Sequence, residues 1–251
     1  MKKLNGFSGV YVVITLVILA LVGTGAWFVM DGNNKATDFN EYDFYSVIEG
    51  SEANGGIGDH VKGKEDAETL IFEYADYQCP GCASINPKVN KAVEESDGKL
   101  AVVYRSFLLS YHKNGTAAAS AAEAAGLQGY WKPYADKLFA QQSEWEYASA
   151  SERGDYFSKL FVEVTDGKGD VDKFNQDMAS ESVSKKISFD MGIGRRVNVE
   201  STPSFYVEGQ VINWDKQGSV TVHGKTISWD SGRSGDDFVK LLLEIAGVKS
   251  Q

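Results

Sequence analysis

The stretch IFEYADYQCPGC, residues 71–82, holds the only two cysteines of this 251-residue chain. Its apolar first half is typical of a buried strand, and a helical pattern follows, so the C-x-x-C pair lies at a strand-to-helix turn. A thiol at a helix N-terminus lies at the positive end of the helix dipole, which favours the thiolate. We therefore expect Cys79 to be the nucleophile of a redox-active dithiol and Cys82 to resolve the mixed disulfide.

A C-x-x-C pair also fits half of a zinc site or a small structural disulfide. A zinc site needs four ligands, usually two such pairs. Here His60, His112 and His223 are the histidines available to complete one, and none is at ligand spacing from another. A disulfide that closes so small a ring stabilises a fold little. The redox interpretation is favoured, with no metal and no cofactor expected, and the other two remain open.

Three further features lie around the dithiol. Pro87 falls eight residues after Cys79, inside the helical pattern, where proline kinks a helix. Glu73 falls six residues before Cys79 in an apolar strand, where burial would oppose ionisation of its carboxyl group. Strand alternation alone also allows Glu73 to be an exposed edge-strand acid. Far downstream, Thr202-Pro203 precedes another apolar strand.

On these residues the chain resembles the thioredoxin superfamily, and most closely the DsbA-like thiol–disulfide oxidoreductases. The resemblance is carried by FEYADYQCPGC, by Pro87 and by STPSFYVEG at 201–209, and it loosely covers residues 65–248. It implies an α/β thioredoxin fold with a helical insertion at about residues 112–190.

The resemblance also implies roles for individual residues. Glu73 matches a buried acid that relays protons to the buried cysteine. Pro203 matches a cis-proline facing the cysteines, and the backbone of Thr202 is then available to pair with substrate. Pro80 and Gly81, between the cysteines, complete the expected substrate-binding set.

The chain departs from the family pattern at two places. DsbA-like oxidants commonly carry a histidine between the cysteines, and this chain has Pro80-Gly81, so we expect an intermediate redox poise. Leu108-Leu109 stands where many relatives have a proline. Nearby, His112 is expected to be a solvated loop residue, and Asp76 is a candidate helix cap.

Composition excludes one class of function. The formal net charge is −10, from 35 acidic and 25 basic residues, which argues against nucleic-acid binding because that activity rewards clusters of Lys and Arg. About 185 residues remain after the N-terminal region is set aside, enough for one sizeable core.

The N-terminus predicts export. Residues 10–30 carry no charged side chain until Asp31, and 21 residues of helix span roughly 30 Å, the thickness of a bilayer core. We expect a cytoplasmic tail at 1–9 and a transmembrane signal-anchor at 10–30, with the rest of the chain on the extracytoplasmic side. The small residues Gly23-Thr24-Gly25-Ala26 leave cleavage and secretion as the alternative.

The remaining chain is predicted to contain a glycine-rich linker at 31–64 and one domain at 65–251. Strands are expected at 69–74 and 100–109, with a helix at about 79–95 between them. The hairpin predicted at 219–229 has no assigned function, and His223 is expected to lie in its turn. Four helices are predicted in the insertion, at 117–125, 130–142, 156–164 and 171–191.

These observations predict a membrane-tethered oxidoreductase that exchanges a Cys79–Cys82 disulfide with reduced or unfolded exported proteins, most simply as a dithiol oxidase. We expect a monomer that is reoxidised by a membrane redox partner. The alternatives are an extracytoplasmic disulfide reductase and, from another class, a metal-binding thiol module.

Overall fold

The apolar run before the cysteines forms the central strand of a sheet. The computed structural model of the protein describes residues 37–230 and 235–248. Within these residues five strands pair in the order β1-β3-β2-β4-β5, and a separate hairpin is made by β6 and β7. The strands are β1 (His60–Lys62), β2 (Thr69–Ala75), β3 (Leu100–Ser106), β4 (Ser204–Val207), β5 (Gln210–Val211), β6 (Gly218–Val222) and β7 (Lys225–Trp229).

Strands β2 and β3 are parallel and are joined by helix α1 (Pro80–Glu95), which contains Pro87 as predicted. Strand β2 also pairs with β4 in the antiparallel sense, so it has a neighbour on both sides. Six of its seven residues are buried, as expected for a strand covered on both faces. Glu73 therefore lies buried in a central strand, and the alternative of an exposed edge-strand acid is wrong.

Each face of the sheet packs on helices because successive side chains of β2 point to opposite faces. Ile71 packs in a cluster with Val89 of α1 and Phe238 of helix α8 (Gly235–Ile245). Phe72 packs in another cluster with Phe189 of helix α7 (Glu181–Arg196). Glu73, two residues from Ile71, shares the face that α1 covers.

The helical insertion is present, and one predicted helix of it is divided. Residues predicted as one helix at 171–191 form two, because the Ser180 side chain accepts a hydrogen bond from the Val183 N–H and caps a new N-terminus. The insertion helices are α2 (Gly115–Gly126), α3 (Trp131–Ala140), α4 (Gln142–Trp145), α5 (Ala150–Val164), α6 (Val171–Met178) and α7.

The segment predicted as a linker at 31–64 is, from Phe39 onward, part of the same compact unit as the domain. It contributes β1, which pairs antiparallel with β3, and it buries Ile48 and Ile57. The prediction of a linker was wrong from Phe39 onward, because aromatic side chains of this segment pack against the cluster of Phe72 and Phe189, and Asp59 supplies a buried carboxylate.

Among residues 37–230 and 235–248, no helix has both the length and the apolar character needed to cross a bilayer. The predicted tail at 1–9 and signal-anchor at 10–30 lie outside the described residues.

The second hairpin forms where the sequence predicts it. His223 and Gly224 occupy its two-residue turn with φ of 50° and 76°, which is the left-handed backbone that such turns require and that glycine adopts at no steric cost. The apolar sides of β6 and β7 pack in the same cluster as α8.

Candidate functional site

Cys79 is the N-cap residue of α1. Its backbone is extended, with φ −79° and ψ 120°, and Pro80 begins the helix. The Cys79 carbonyl accepts the first helical hydrogen bond, from the Ala83 N–H at 3.1 Å. Because the unpaired N–H groups of a helix point out of its first turn, this position places the Cys79 sulfur among them.

The Cys79 thiol is strongly acidic for a cysteine. Its pKa falls from 9.0 to about 5, chiefly because the Cys82 thiol donates a hydrogen bond to its sulfur; partial burial opposes the shift, and the backbone N–H groups of Gly81 and Cys82 add to it. Cys79 is therefore largely thiolate at neutral pH, the form that attacks disulfides.

Cys82 has the opposite properties. It is fully buried, whereas Cys79 is 7% exposed. Burial, followed by the interaction with Cys79, raises the pKa of Cys82 well above its ordinary value. Both thiols are free in this structure. One sulfur is thus ionised and near the surface, and the other is protonated and enclosed.

This difference predicts the order of alkylation. In the reduced protein at pH 6, iodoacetamide should modify Cys79 and leave Cys82 unmodified, with a rate that follows a single ionisation near pH 5. Peptide mapping after a short pulse of iodoacetamide measures the order in which the two cysteines are labelled, and equal labelling would contradict the prediction.

The lowered pKa of Cys79 also affects folding. The reduced fold should gain stability as the pH rises from about 5 toward 9, because in this range the Cys79 thiol is protonated in the unfolded chain and ionised in the folded protein.

Pro203 faces the dithiol, and the Thr202–Pro203 bond is cis as predicted. A Cβ atom built on Gly81 would lie 3.3 Å from Pro203 Cδ and 3.6 Å from Cys79 Sγ, so Gly81 allows this close approach. Cys79 Sγ lies 3.3 Å from the Thr202 carbonyl oxygen, to which it donates when it is protonated. Pro80 is exposed beside them. The structure therefore brings the predicted substrate-binding residues together around one sulfur.

Glu73 lies behind the dithiol on β2. Its side chain is buried, and neither carboxylate oxygen has a hydrogen-bond partner among the described residues. Burial raises its pKa, with Lys62 acting in the opposite direction. The Glu73 carboxyl group is therefore harder to ionise than a solvated one, and its charge is one of the causes that raise the pKa of Cys82.

A buried lysine, Lys62 of β1, lies on the same side of the sheet as Glu73, and the two interact electrostatically. Its Nζ donates to Asn86 Oδ1 of α1 and lies 4.0 Å from Asp136 Oδ1 of α3. Burial lowers the pKa of Lys62, while Glu73 and then Asp136 oppose that shift. Lys62 and Asp136 were not predicted, since nothing in a glycine-rich segment or an amphipathic helix marks an ionic pair.

Asp76 and His112 form another pair beneath the Cys79 turn. The buried Asp76 carboxylate accepts from the Gln78 and Leu109 N–H groups, both at 2.9 Å, and lies 2.8 Å from His112 Nδ1. The expectation of a solvated His112 was wrong, since its side chain is 12% exposed. Asp76 is not the helix cap, because Cys79 holds that position.

One structural observation bears on the alternative of a metal site. Among residues 37–230 and 235–248, no group of three or more His, Cys, Asp or Glu side chains is arranged to hold a metal ion.

Comparison with known sequences gives two kinds of relative. A family model described as thioredoxin matches residues 56–220. The "Na(+)/H(+) antiporter NhaA 1" of Mycolicibacterium gilvum is 28% identical over 155 residues, 61% of this chain and 24% of that protein. The chain thus spans about a quarter of the length of the first curated relatives that it matches. The "Probable disulfide bond formation protein D" of Bacillus cereus is 26% identical over 219 residues, 85% of this chain and 93% of that protein.

Solved structures with similar folds include two bacterial proteins, BdbD and a thioredoxin-like oxidoreductase. BdbD from Bacillus subtilis, in its oxidised form, has a TM-score of 0.54 at 19% identity, covering 80% of this chain and 98% of that one. A thioredoxin-like oxidoreductase from Silicibacter pomeroyi has a TM-score of 0.55 at 22% identity, covering 75% of this chain and 92% of that one. These similarities establish a thioredoxin-like α/β fold.

Proposed function

The chain belongs to the thioredoxin family, and from that premise we propose that it is a thiol–disulfide oxidoreductase whose Cys79–Cys82 pair exchanges disulfides with other proteins. The observation that carries this proposal is the asymmetry of the two sulfurs: Cys79 is acidic and reachable, and Cys82 is buried with a raised pKa. The B. cereus relative, named for disulfide bond formation and matched over most of both chains, supports the same activity.

The exchange proceeds in two displacements. A substrate thiolate attacks Cys79 Sγ, the Cys79–Cys82 bond breaks, and its electron pair passes to Cys82 Sγ, which takes up a proton. A second substrate thiolate then attacks the substrate sulfur of the mixed disulfide and releases Cys79 as a thiolate. Two substrate thiols are oxidised to one disulfide, and the enzyme disulfide is reduced by two electrons.

Two residues assist these displacements in our proposal. Glu73 holds the proton that Cys82 takes up, since its carboxyl is buried and hard to ionise. The Thr202 carbonyl oxygen lies 3.3 Å from Cys79 Sγ. Cys79 carries no proton either as the thiolate or in the mixed disulfide, so this carbonyl is free to accept a substrate N–H, as in strand addition.

We further propose that the domain acts outside the cytoplasm, tethered by the apolar run at 10–30, on reduced or unfolded exported proteins. The argument is from sequence: export puts the dithiol where disulfides form and persist. A membrane redox partner would then reoxidise the dithiol.

The reduction potential of the Cys79/Cys82 couple tests the direction of exchange. A Cys79 pKa of about 5 stabilises the reduced form of the enzyme and favours an oxidase. Pro80 and Gly81, between the cysteines, supply no histidine that would lower the pKa of Cys79 further. We expect a potential between about −270 mV, typical of thioredoxin reductants, and about −120 mV, typical of the strongest protein oxidants. Equilibration with glutathione buffers measures it, and oxidation of a reduced peptide should be faster than reduction of insulin.

A value at the thioredoxin end, with fast insulin reduction, would favour the reductase instead. The absence of any exchange in either assay would contradict the proposal as a whole.

A further inference from the structure

A cleft lies between two helices of the insertion, α2 and α7, on a surface that the exchange described above does not use. Its volume is about 460 Å³, which is within the range of ligand-binding sites. Its lining extends from Ser180, the N-cap residue of α7, to Arg195 in the last turn of that helix. The roughly 15 helical residues between them span about 22 Å, the length of about seven residues of extended chain.

Hydroxyl groups line both walls of the cleft. Thr116 and Ser120 lie one turn apart on α2, and Ser184 and Ser188 lie one turn apart on α7. Among residues 37–230 and 235–248, none of these four side chains forms a hydrogen bond or an ion pair. Each of the four hydroxyl groups is therefore available to a ligand, both as a donor and as an acceptor.

An extended polypeptide matches this arrangement. Side chains four residues apart on a helix lie about 6 Å from each other, and an extended chain repeats the N–H and C=O groups of each edge about every 6.7 Å. A segment placed between the two helices can thus bond to hydroxyl groups along both of its edges. The floor of the cleft contains the apolar side chains Leu108, Ile187 and Met191, which can contact the side chains that alternate toward it.

Arg195 makes one end of the cleft positive. It is the charged residue of the lining, and it is exposed. Within the part of the chain that the structure describes, its guanidinium group has no ion-pair partner. Because a guanidinium group binds a carboxylate through two parallel hydrogen bonds, the segment that fits this cleft best carries an acidic side chain.

The cleft also adjoins the turn that carries the nucleophile. The residue after Leu108 donates its N–H to the Asp76 carboxylate at 2.9 Å, and the Asp76 carbonyl accepts from the Cys79 N–H at 2.9 Å. Beyond Arg195 the chain reaches Thr202, beside Cys79 Sγ, in seven residues. A polypeptide bonded to Cys79 can therefore continue into the cleft.

We propose that the cleft between α2 and α7 binds an extended, acidic segment of the protein substrate while a cysteine of that substrate reacts with Cys79. This proposal rests on the proposed function and adds a feature of its substrates, a carboxylate at a set distance along the chain from the reacting cysteine. Arg195 determines the preference for that carboxylate. The hydroxyl groups bind the backbone of the segment, which every sequence has.

The test is an exchange of charge between the protein and its substrate. A set of reduced dithiol peptides is identical except at one position, which holds Glu, Gln or Lys and is moved along about ten residues on each side of the cysteine pair. At the position that reaches Arg195, kcat/KM for oxidation by the full chain should be about ten-fold higher with Glu than with Gln, mainly through KM. The Arg195→Glu variant should instead prefer Lys at that position.

The matched control is Lys185→Glu. Lys185 is also on α7, but it pairs with Glu181 at 3.0 Å and is not part of the lining. This change alters the net charge of the protein by the same amount as Arg195→Glu and should keep the preference for Glu. Partial unfolding of a variant lowers the rate for every peptide alike, so it cannot reverse a preference.

A second variant tests the cleft without changing its charge. Ser188 is exposed on α7, so Ser188→Trp should leave the fold intact while its indole fills the cleft. The preference for Glu should then disappear, whereas reduction of the Cys79–Cys82 disulfide by dithiothreitol should proceed at the wild-type rate. Loss of both activities would indicate a structural effect and would count against the cleft as a substrate site.

The results separate the two proposals. If wild-type protein oxidises the peptides with no preference at any position, or if Arg195→Glu keeps the preference for Glu, the inference about the cleft is wrong and the proposed function stands. Inhibition by decanoate that depends on Arg195, without any peptide preference, would assign the cleft to a small amphiphile and also overturn the inference. If wild-type protein exchanges disulfides with no peptide, both proposals are wrong.

Discussion

The Cys79→Ser variant should lose thiol–disulfide exchange by at least about a thousand-fold, the scale on which removal of a nucleophile acts. The physical reason is that a serine hydroxyl is not ionised at neutral pH and cannot form a disulfide, whereas the Cys79 sulfur has a pKa of about 5. The measurement is the rate of oxidation of a reduced dithiol peptide by the purified protein. A binding or chaperone role without chemistry would survive this substitution.

Cys82→Ser is the matched control, since it removes the other sulfur of the same turn. When this variant is mixed with a peptide that contains a disulfide, the Cys79 thiolate bonds to one peptide sulfur and releases the other as a thiolate. The serine at 82 cannot attack the resulting mixed disulfide, so the peptide should remain bonded to Cys79 and accumulate as a covalent complex on a non-reducing gel. Accumulation through Cys82 in the Cys79→Ser variant instead would reverse the assignment of the two sulfurs. That result is not expected, because Cys82 is fully buried.

The second large effect concerns a buried ionic cluster that does not include the dithiol. It consists of Asp59, Arg105, Lys186 and Asp190, whose side chains are all at most 1% exposed. Lys186 Nζ lies 2.7 Å from Asp190 Oδ1 and 3.2 Å from Asp59 Oδ1, and Arg105 Nη2 lies 2.7 Å from Asp59 Oδ2. The cluster joins the residue before β1, Asp59, to Arg105 of β3 and to Lys186 and Asp190 of α7.

Lys186→Met should lower the free energy of unfolding by about 3–5 kcal/mol, because it leaves Asp190 as an uncompensated charge in the interior. Urea unfolding followed by tryptophan fluorescence measures the loss. Adding Asp190→Asn to this variant should recover part of it, since the amide removes the stranded charge and keeps an acceptor for the Ser106 N–H, which bonds Asp190 Oδ2 at 3.1 Å.

The neighbouring Lys185 gives a matched control. It pairs with Glu181 at 3.0 Å, but its side chain is 43% exposed, and exposed pairs contribute only about 0–1 kcal/mol. Lys185→Met should therefore change stability little. Equal effects of the two substitutions would show that burial of the cluster does not determine the stability of this fold.

Much of the fold could be predicted because it depends on short-range patterns. The apolar run at 69–75 and the helical periodicity after it give the βαβ unit, and the turn preference of His223-Gly224 gives the second hairpin. The division of the predicted helix at 171–191 was missed. Ser180 lies in the middle of a helical pattern, and a serine in such a position becomes a helix cap only when the chain changes direction there.

The residues of the candidate site also fall into two groups, those that a local sequence pattern predicts and those that it does not. Cys79 and Cys82 were predicted from their spacing, and Glu73 and Pro203 from their positions relative to a family motif. Lys62 and Asp136 were not predicted, since a lysine in a polar loop segment and an aspartate on a helix surface are usually solvated.

By itself the sequence determined the dithiol, its place at a helix start and the strands that carry it, because these follow from the spacing of neighbouring residues along one chain. Only the tertiary structure decided which charges are buried: Asp59 meets Lys186 across 127 residues, and Asn86 meets Asp136 across 50. A charged side chain has the same identity in sequence whether it is hydrated or enclosed. Its burial is tolerated only when folding brings an opposite charge to it, which no local pattern records.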